Sequence, residues 1–318
     1  MNIEDKYSDK NLTNTEAQTI QKTLDDVDIN FENENNINEE VSEEIINKLK
    51  NIVDTAPKLE LKILESLYFQ EGFIIKINAL GLIEKSLRDI KDGNTFFGMI
   101  SPDDEQNRKK IDFSTGNNGN EKSNENQNNK DISDNNNYIN YGRQFVIRYD
   151  LDENWYFIKD CSMGSGYGTF MKVINEIKIK DNTLINIGNN YVVFTLGVDT
   201  LEPEENDIIT NEKEKILSVK VFRGELTNYS YVFNQSQIDK IYIGNNEECN
   251  IVLNDNLSDD FHCSIEYKKE IGWVINDGYN NKKSENGTWI CLSEETKITE
   301  GMVIQSNQNI YQCHIIEE

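Results

Sequence analysis

The sequence predicts an all-β protein: two tandem β-sandwich domains behind a short N-terminal helical segment. Three observations carry that expectation. Short β-branched and aromatic runs recur between turn residues from Gly72 onward. Those runs repeat at matching spacings in two stretches of the chain. Ahead of them, apolar residues fall at helical spacing between Val41 and Tyr68.

Residues 1–40 are rich in Asn, Asp, Glu and Thr and lack periodicity, so they read as a solvated tail that cannot offset its ordering entropy. From Val41, the residues Ile45, Ile46, Leu49, Ile52 and Val53 line one helix face. Thr55-Ala56-Pro57 interrupts that helix, and Pro57 suits the first turn of a second one carrying Leu59, Ile63, Leu64, Leu67 and Tyr68. The segment 41–70 is thus expected to be helical, either as a cap on the sandwich or as a partner-binding pair.

Strand signals follow at Phe73–Ile77, Gln144–Tyr149, Trp155–Ile158, Tyr191–Phe194, Ser218–Phe222, Cys263–Tyr267, Trp273–Ile275 and Ile310–Ile315. Phe145 precedes Trp155 by ten residues, and Cys263 precedes Trp273 by ten. Trp155 leads to Gly168-Thr169-Phe170, and Trp273 leads to Gly287-Thr288-Trp289. The repeat sets the expected domains at 72–198 and 216–318, joined by a polar linker at 199–215. Gly98 to Phe145 spans 47 positions where Gly244 to Cys263 spans 19, a surplus of 28. The polar tract responsible reads as a disordered insertion, about 101–140, because loop closure costs little more as a loop lengthens.

The 318 residues include 57 acidic and 32 basic side chains, a net charge of −25. Such a surface repels phosphate backbones and anionic lipid, which excludes nucleic acid and membrane partners and leaves basic or neutral proteins. No apolar run is long enough to span a bilayer. The N-terminus lacks the cationic and apolar regions of a secretory signal, and five cysteines without a Cys-x-x-Cys pair suit a reduced compartment. A cytoplasmic or nuclear location is expected; oligomeric state is not legible.

Ile243-Gly244, Ser258-Asp259-Asp260-Phe261-His262-Cys263 and Asn286-Gly287-Thr288-Trp289 together resemble the loop set of a forkhead-associated (FHA) domain. Asn-rich FHA proteins of AT-rich protist genomes share the Ser…Cys…Trp…Asn-Gly-Thr-Trp arrangement. The resemblance implies a β-sandwich that reads phosphothreonine peptides through loops at one end. In that family an arginine after the glycine and a serine three residues before the histidine hold the phosphate, the asparagine binds the ligand backbone, and the histidine braces the loops.

The frame matches better than the chemistry. Asn245 stands where the arginine would, forfeiting a charge-assisted contact of about 1.5–3 kcal/mol. Ser258 lies four residues before His262, so either the loop holds one extra residue or Asp259 takes the serine place. Each aspartate near the phosphate would repel it by about 3 kcal/mol at roughly 5 Å and an effective dielectric near 20. Lys282 and Lys283 could replace the lost cation, or form only a solvated loop. The ligand-binding candidates are thus Gly244, Asn245, Ser258, Asp259, His262, Lys282, Lys283, Asn286, Gly287 and Thr288. In the first copy Met99, Tyr141, Gln144 and Tyr167 occupy the corresponding places, and Arg143 is the one nearby cation.

Other chemistry is poorly supported. Gly164-Ser165-Gly166-Tyr167-Gly168 lacks the following helix of a dinucleotide fingerprint and the Gly-Lys-Ser/Thr of a Walker loop. His262 and His314 each adjoin a cysteine, but neighbouring strand residues face opposite ways and cannot share one ion. No catalytic residue, metal or cofactor is expected. The expected function is a non-enzymatic protein–protein interaction adaptor whose second FHA copy binds phosphothreonine-containing segments. The alternative is a scaffold component whose FHA-like domains dock independently of phosphate.

Overall fold

Helix α1 (Glu43–Ile52) follows the helical spacing and buries Leu49, with an exposed Lys48–Glu44 ion pair at 2.8 Å. The computed structural model describes residues 42–100, 108–116, 142–161, 168–198, 215–223 and 227–317. The expected tail, the linker through residue 214 and most of the expected insertion lie outside these residues. Within the insertion bounds, however, Ile111 and Thr115 are fully buried, so the stretch around them belongs to the fold.

The second predicted helix is instead a strand, β1 (Lys58–Ser66). Leu59, Leu61 and Ile63 alternate and are completely buried, each worth roughly 1.5–3 kcal/mol. Leu67, placed on the expected helix face, is 75% exposed. A window of local sequence cannot show why period two wins here: one partner strand of β1 lies about 250 residues away.

The remaining strands of the first half are β2 (Ile74–Asn78), β3 (Gly81–Leu82), β4 (Asn94–Met99), β5 (Phe113–Ser114), β6 (Gly142–Asp150), β7 (Trp155–Asp160), β8 (Thr169–Lys172), β9 (Ile177–Lys178), β10 (Thr183–Ile187) and β11 (Asn190–Val198). The second half supplies β12 (Lys215–Arg223), β13 (Thr227–Asn234), β14 (Lys240–Gly244), β15 (Ile251–Val252), β16 (Cys263–Lys268), β17 (Gly272–Asp277), β18 (Trp289–Cys291), β19 (Thr296–Lys297), β20 (Val303–Ser306) and β21 (Asn309–Ile316). The fold is therefore mostly β, with an N-terminal helix, as the sequence predicts.

One sheet has eleven strands in the order β13-β12-β11-β10-β18-β8-β20-β21-β1-β2-β3, and two five-stranded sheets, β19-β7-β6-β4-β5 and β15-β14-β16-β17-β9, pack against its two ends. Two separate cores result. Leu59, Leu61, Phe97, Phe145, Tyr156 and Tyr311 lie in one. Ile185, Val192, Phe194, Val219, Ile243 and Ile275 lie in the other.

The sheets do not follow the sequence repeat. Strands β9, β10 and β11 of the first half pair with β17, β18 and β12 of the second. In return, β19, β20 and β21 pair with β7, β8 and β1. Each sandwich thus contains strands from both 72–198 and 216–318, and one also takes β1 from before residue 72.

The exchange is locally symmetric. Strands β8 and β18 pair through Phe170 with Cys291, Met171 with Ile290 and Lys172 with Trp289. On one side the Val173 N–H donates to the Thr288 carbonyl at 2.8 Å, and on the other the Leu292 N–H donates to the Thr169 carbonyl at 2.8 Å.

Candidate functional site

At one end of the second sandwich, three loops converge because their backbones leave no room for side chains. A Cβ on Gly244 would stand 2.2 Å from the Asp260 carbonyl oxygen, and one on Gly278 would stand 1.9 Å from that of Lys282. The Asn245 and Asn246 amides donate to the carbonyls of Asp259 and Asp260 at 2.9 and 3.0 Å. Asn280 and Asn281 hold positive φ in the turn that closes Tyr279 on Lys282.

Two buried side chains fix the loop before His262 and the loop after Asp277. His262 is fully buried; its Nδ1 accepts the Asp259 N–H at 3.2 Å, which leaves Nε2 to donate to the Gly287 carbonyl at 3.0 Å. Asp277 Oδ1 accepts the Ser284 hydroxyl at 2.6 Å, the Thr288 N–H at 2.9 Å and the Thr288 hydroxyl at 2.8 Å. Sequence reasoning missed Asp277. Its one signal is a carboxylate at the end of a strand shortly before Gly-Thr, repeated where Asp160 accepts the Thr169 N–H at 2.8 Å.

The predicted residues fall into two groups. Ser258, Asp259, Lys282, Lys283 and Asn286 line an open cleft of about 420 Å³. Gly244, Asn245, His262, Gly287 and Thr288 are not among its lining residues and act as framework. Asn245 turns inward: its side-chain nitrogen donates to the Asp255 and Ser258 carbonyls at 2.6 and 2.7 Å, and its oxygen accepts the Asp255 N–H at 3.0 Å. The neutral ligand contact expected of it is therefore already spent within the loop.

Asp259 stands three residues before His262, and its N–H donates to the imidazole. The Asp259 carboxylate also accepts the Glu285 N–H at 3.3 Å. Asn286 donates to the Leu257 carbonyl at 2.9 Å. Lys283 donates to the Ile174 carbonyl at 2.5 Å, whereas Lys282 makes no ion pair among the described residues. The loop holding Ser258 is also braced by the first half, since the buried Asp255 carboxylate accepts the Asn189 N–H at 2.6 Å and the Asn190 side-chain amide at 2.8 Å.

The corresponding end of the first sandwich shares the framework. A Cβ on Gly98 would stand 2.1 Å from the Gly142 carbonyl oxygen, mirroring Gly244 and Asp260. Gln144 takes the histidine's place and accepts the Thr115 hydroxyl at 2.8 Å, and Met99 is buried. Arg143 lies with its guanidinium 3.7 Å from the Phe96 ring centre. Tyr141 and Tyr167 are outside the described residues.

A family model of the FHA domain matches residues 241–311. That segment is FHA-like. It spans β14 to β21 and is similar to a class of protein-interaction module that reads phosphopeptides. No curated protein matches the chain.

Burial pushes the Cys161, Cys291 and Cys313 thiols up to about 12 and that of Cys249 up to about 11, and raises Cys263 as well. All five cysteines are free. Among the described residues no group of His, Cys, Asp or Glu could hold a metal ion, and no helix is long and apolar enough to cross a membrane.

Proposed function

We propose that this protein is a non-enzymatic interaction adaptor with two FHA-like sandwiches, the second of which holds a segment of a partner protein in its loop-end cleft without relying on phosphate. The reading rests on one observation: His262 and Asp277, both buried, fix two of the loops that line an open cleft. A site prepared in this way binds without first ordering its loops, which lowers the entropic cost of capture.

Phosphate dependence is disfavoured because Asn245 is engaged inward and Asp259 stands at the cleft wall. A phosphothreonine-dependent reading is kept by Lys282, a lining residue of the cleft without an ion pair among the described residues. Affinity capture with the full chain, before and after phosphatase treatment of the lysate, separates the two readings. Partners that survive phosphatase and are lost from Asn286→Ala support phosphate-independent docking through the cleft. Loss on phosphatase treatment transfers the weight to Lys282.

A further inference from the structure

The cleft has one aromatic wall that the phosphate comparison leaves unused. Phe261 and Tyr279 both line it, stacked with ring centres 4.5 Å apart. Tyr242 supports both rings edge-on, at 5.7 Å from Phe261 and 5.4 Å from Tyr279. Tyr279 is 38% exposed, and no cation of the described residues stands over it or over Phe261.

The same lining contains three carboxylates, Asp259, Asp260 and Glu285, none of which pairs with a lysine or arginine among the described residues. Of the two lysines present, Lys283 is committed to the Ile174 carbonyl. Ser258, also in the lining, is only 8% exposed, and its hydroxyl has no hydrogen-bond partner among the described residues.

The first sandwich shows what this position accommodates. There the residue matching Phe261 is Arg143, whose guanidinium packs on Phe96, the counterpart of Tyr242. In one sandwich the chain supplies a cation to the aromatic from its own sequence. In the other, the aromatic wall lies beside three carboxylates, and neither lysine of the lining stands over its rings.

We propose that the cleft of the second sandwich receives a lysine or arginine side chain from a basic partner segment, its cation packed on Tyr279 and Phe261 and drawn to Asp259, Asp260 and Glu285. Aromatic faces attract such cations, and the chain's net charge of −25 steers basic partners toward it. The proposal deepens the interaction reading above and rests on it.

The test is fluorescence anisotropy on the full chain with three dye-labelled nonapeptide pools carrying a central lysine or arginine, a central glutamine or a central phosphothreonine. The basic pool should bind most tightly. Asp259→Asn with Asp260→Asn should weaken it roughly fivefold or more, while Lys282→Gln tightens it. A charge-matched pair on turns at the far ends of the sandwiches, Asp152→Asn with Glu270→Gln, should change it less than about twofold. Tyr279→Leu should weaken the basic pool with no change in charge. Equal losses from the two charge-matched pairs, or a glutamine or phosphothreonine pool that binds as well, overturns the proposal while leaving the interaction reading standing. Failure of all three pools to bind ends both.

Discussion

Asn309 donates its side-chain amide to the Thr115 carbonyl at 3.0 Å, 194 residues away in sequence. The matching contact runs in the opposite direction, from Asn190 of the first half to Asp255 of the second at 2.8 Å. Both asparagines are fully buried and open the second strand of an exchanged hairpin. The halves are therefore held reciprocally, each completing the other's sheet.

Cutting the chain should not separate them. Strands β11 and β12 pair over nine residues and β1 and β21 over eight, with a buried core behind each seam. A protease site placed within residues 199–214 and fully cleaved should leave one particle of unchanged mass by size-exclusion chromatography with light scattering. Two folded half-size species would show that the sheets are not shared.

Asn309 itself should be costly to remove. It also accepts the Ser66 hydroxyl at 2.5 Å, so Asn309→Ala leaves two polar groups without this partner. A loss of about 2–4 kcal/mol is expected from urea unfolding. The exposed neighbour Gln308→Ala should cost less than about 0.5 kcal/mol.

Asp277 should control the cleft from behind. Asp277→Ala removes the acceptor for Ser284 and for both donors of Thr288, with an expected loss of about 3 kcal/mol or more. Faster amide exchange at Gly287 and Thr288 should accompany it, because the loop they anchor is released. Asp277→Asn keeps one acceptor oxygen and should fall between.

Much of this framework was legible in the sequence. Gly244 and the Asn-Gly-Thr segment announce themselves through backbone needs that few residues meet. The inward turn of Asn245 was not legible, because an amide at that position serves a ligand or its own loop equally well. The match of Trp155 with Trp273 proves off by one. Ile298 donates to the Tyr156 carbonyl as Ile179 does to that of Trp273, so Tyr156 is the counterpart, buried where Trp155 is half-exposed. Strand exchange leaves no local trace either, since β10 and β20 present equivalent edges to equivalent partners.

Acid should loosen the exchanged C-terminal hairpin first at Glu300. The Ile315 N–H donates to this carboxylate at 2.6 Å and His314 contacts it at 2.8 Å; together, the backbone bond first, they hold it below the usual carboxylate range. A carboxylate whose folded pKa is depressed contributes stability above its unfolded value of about 4.3, and that contribution is lost as pH falls through the folded pKa. The wild-type urea midpoint should therefore drop more steeply than that of Glu300→Gln as pH falls below about 4.3, since glutamine can still accept the Ile315 bond but has no proton to take up. The two midpoints should converge in acid, with the wild type ahead at neutral pH. Parallel curves across the range would mean that the Glu300 carboxylate contributes nothing to holding β21 in place.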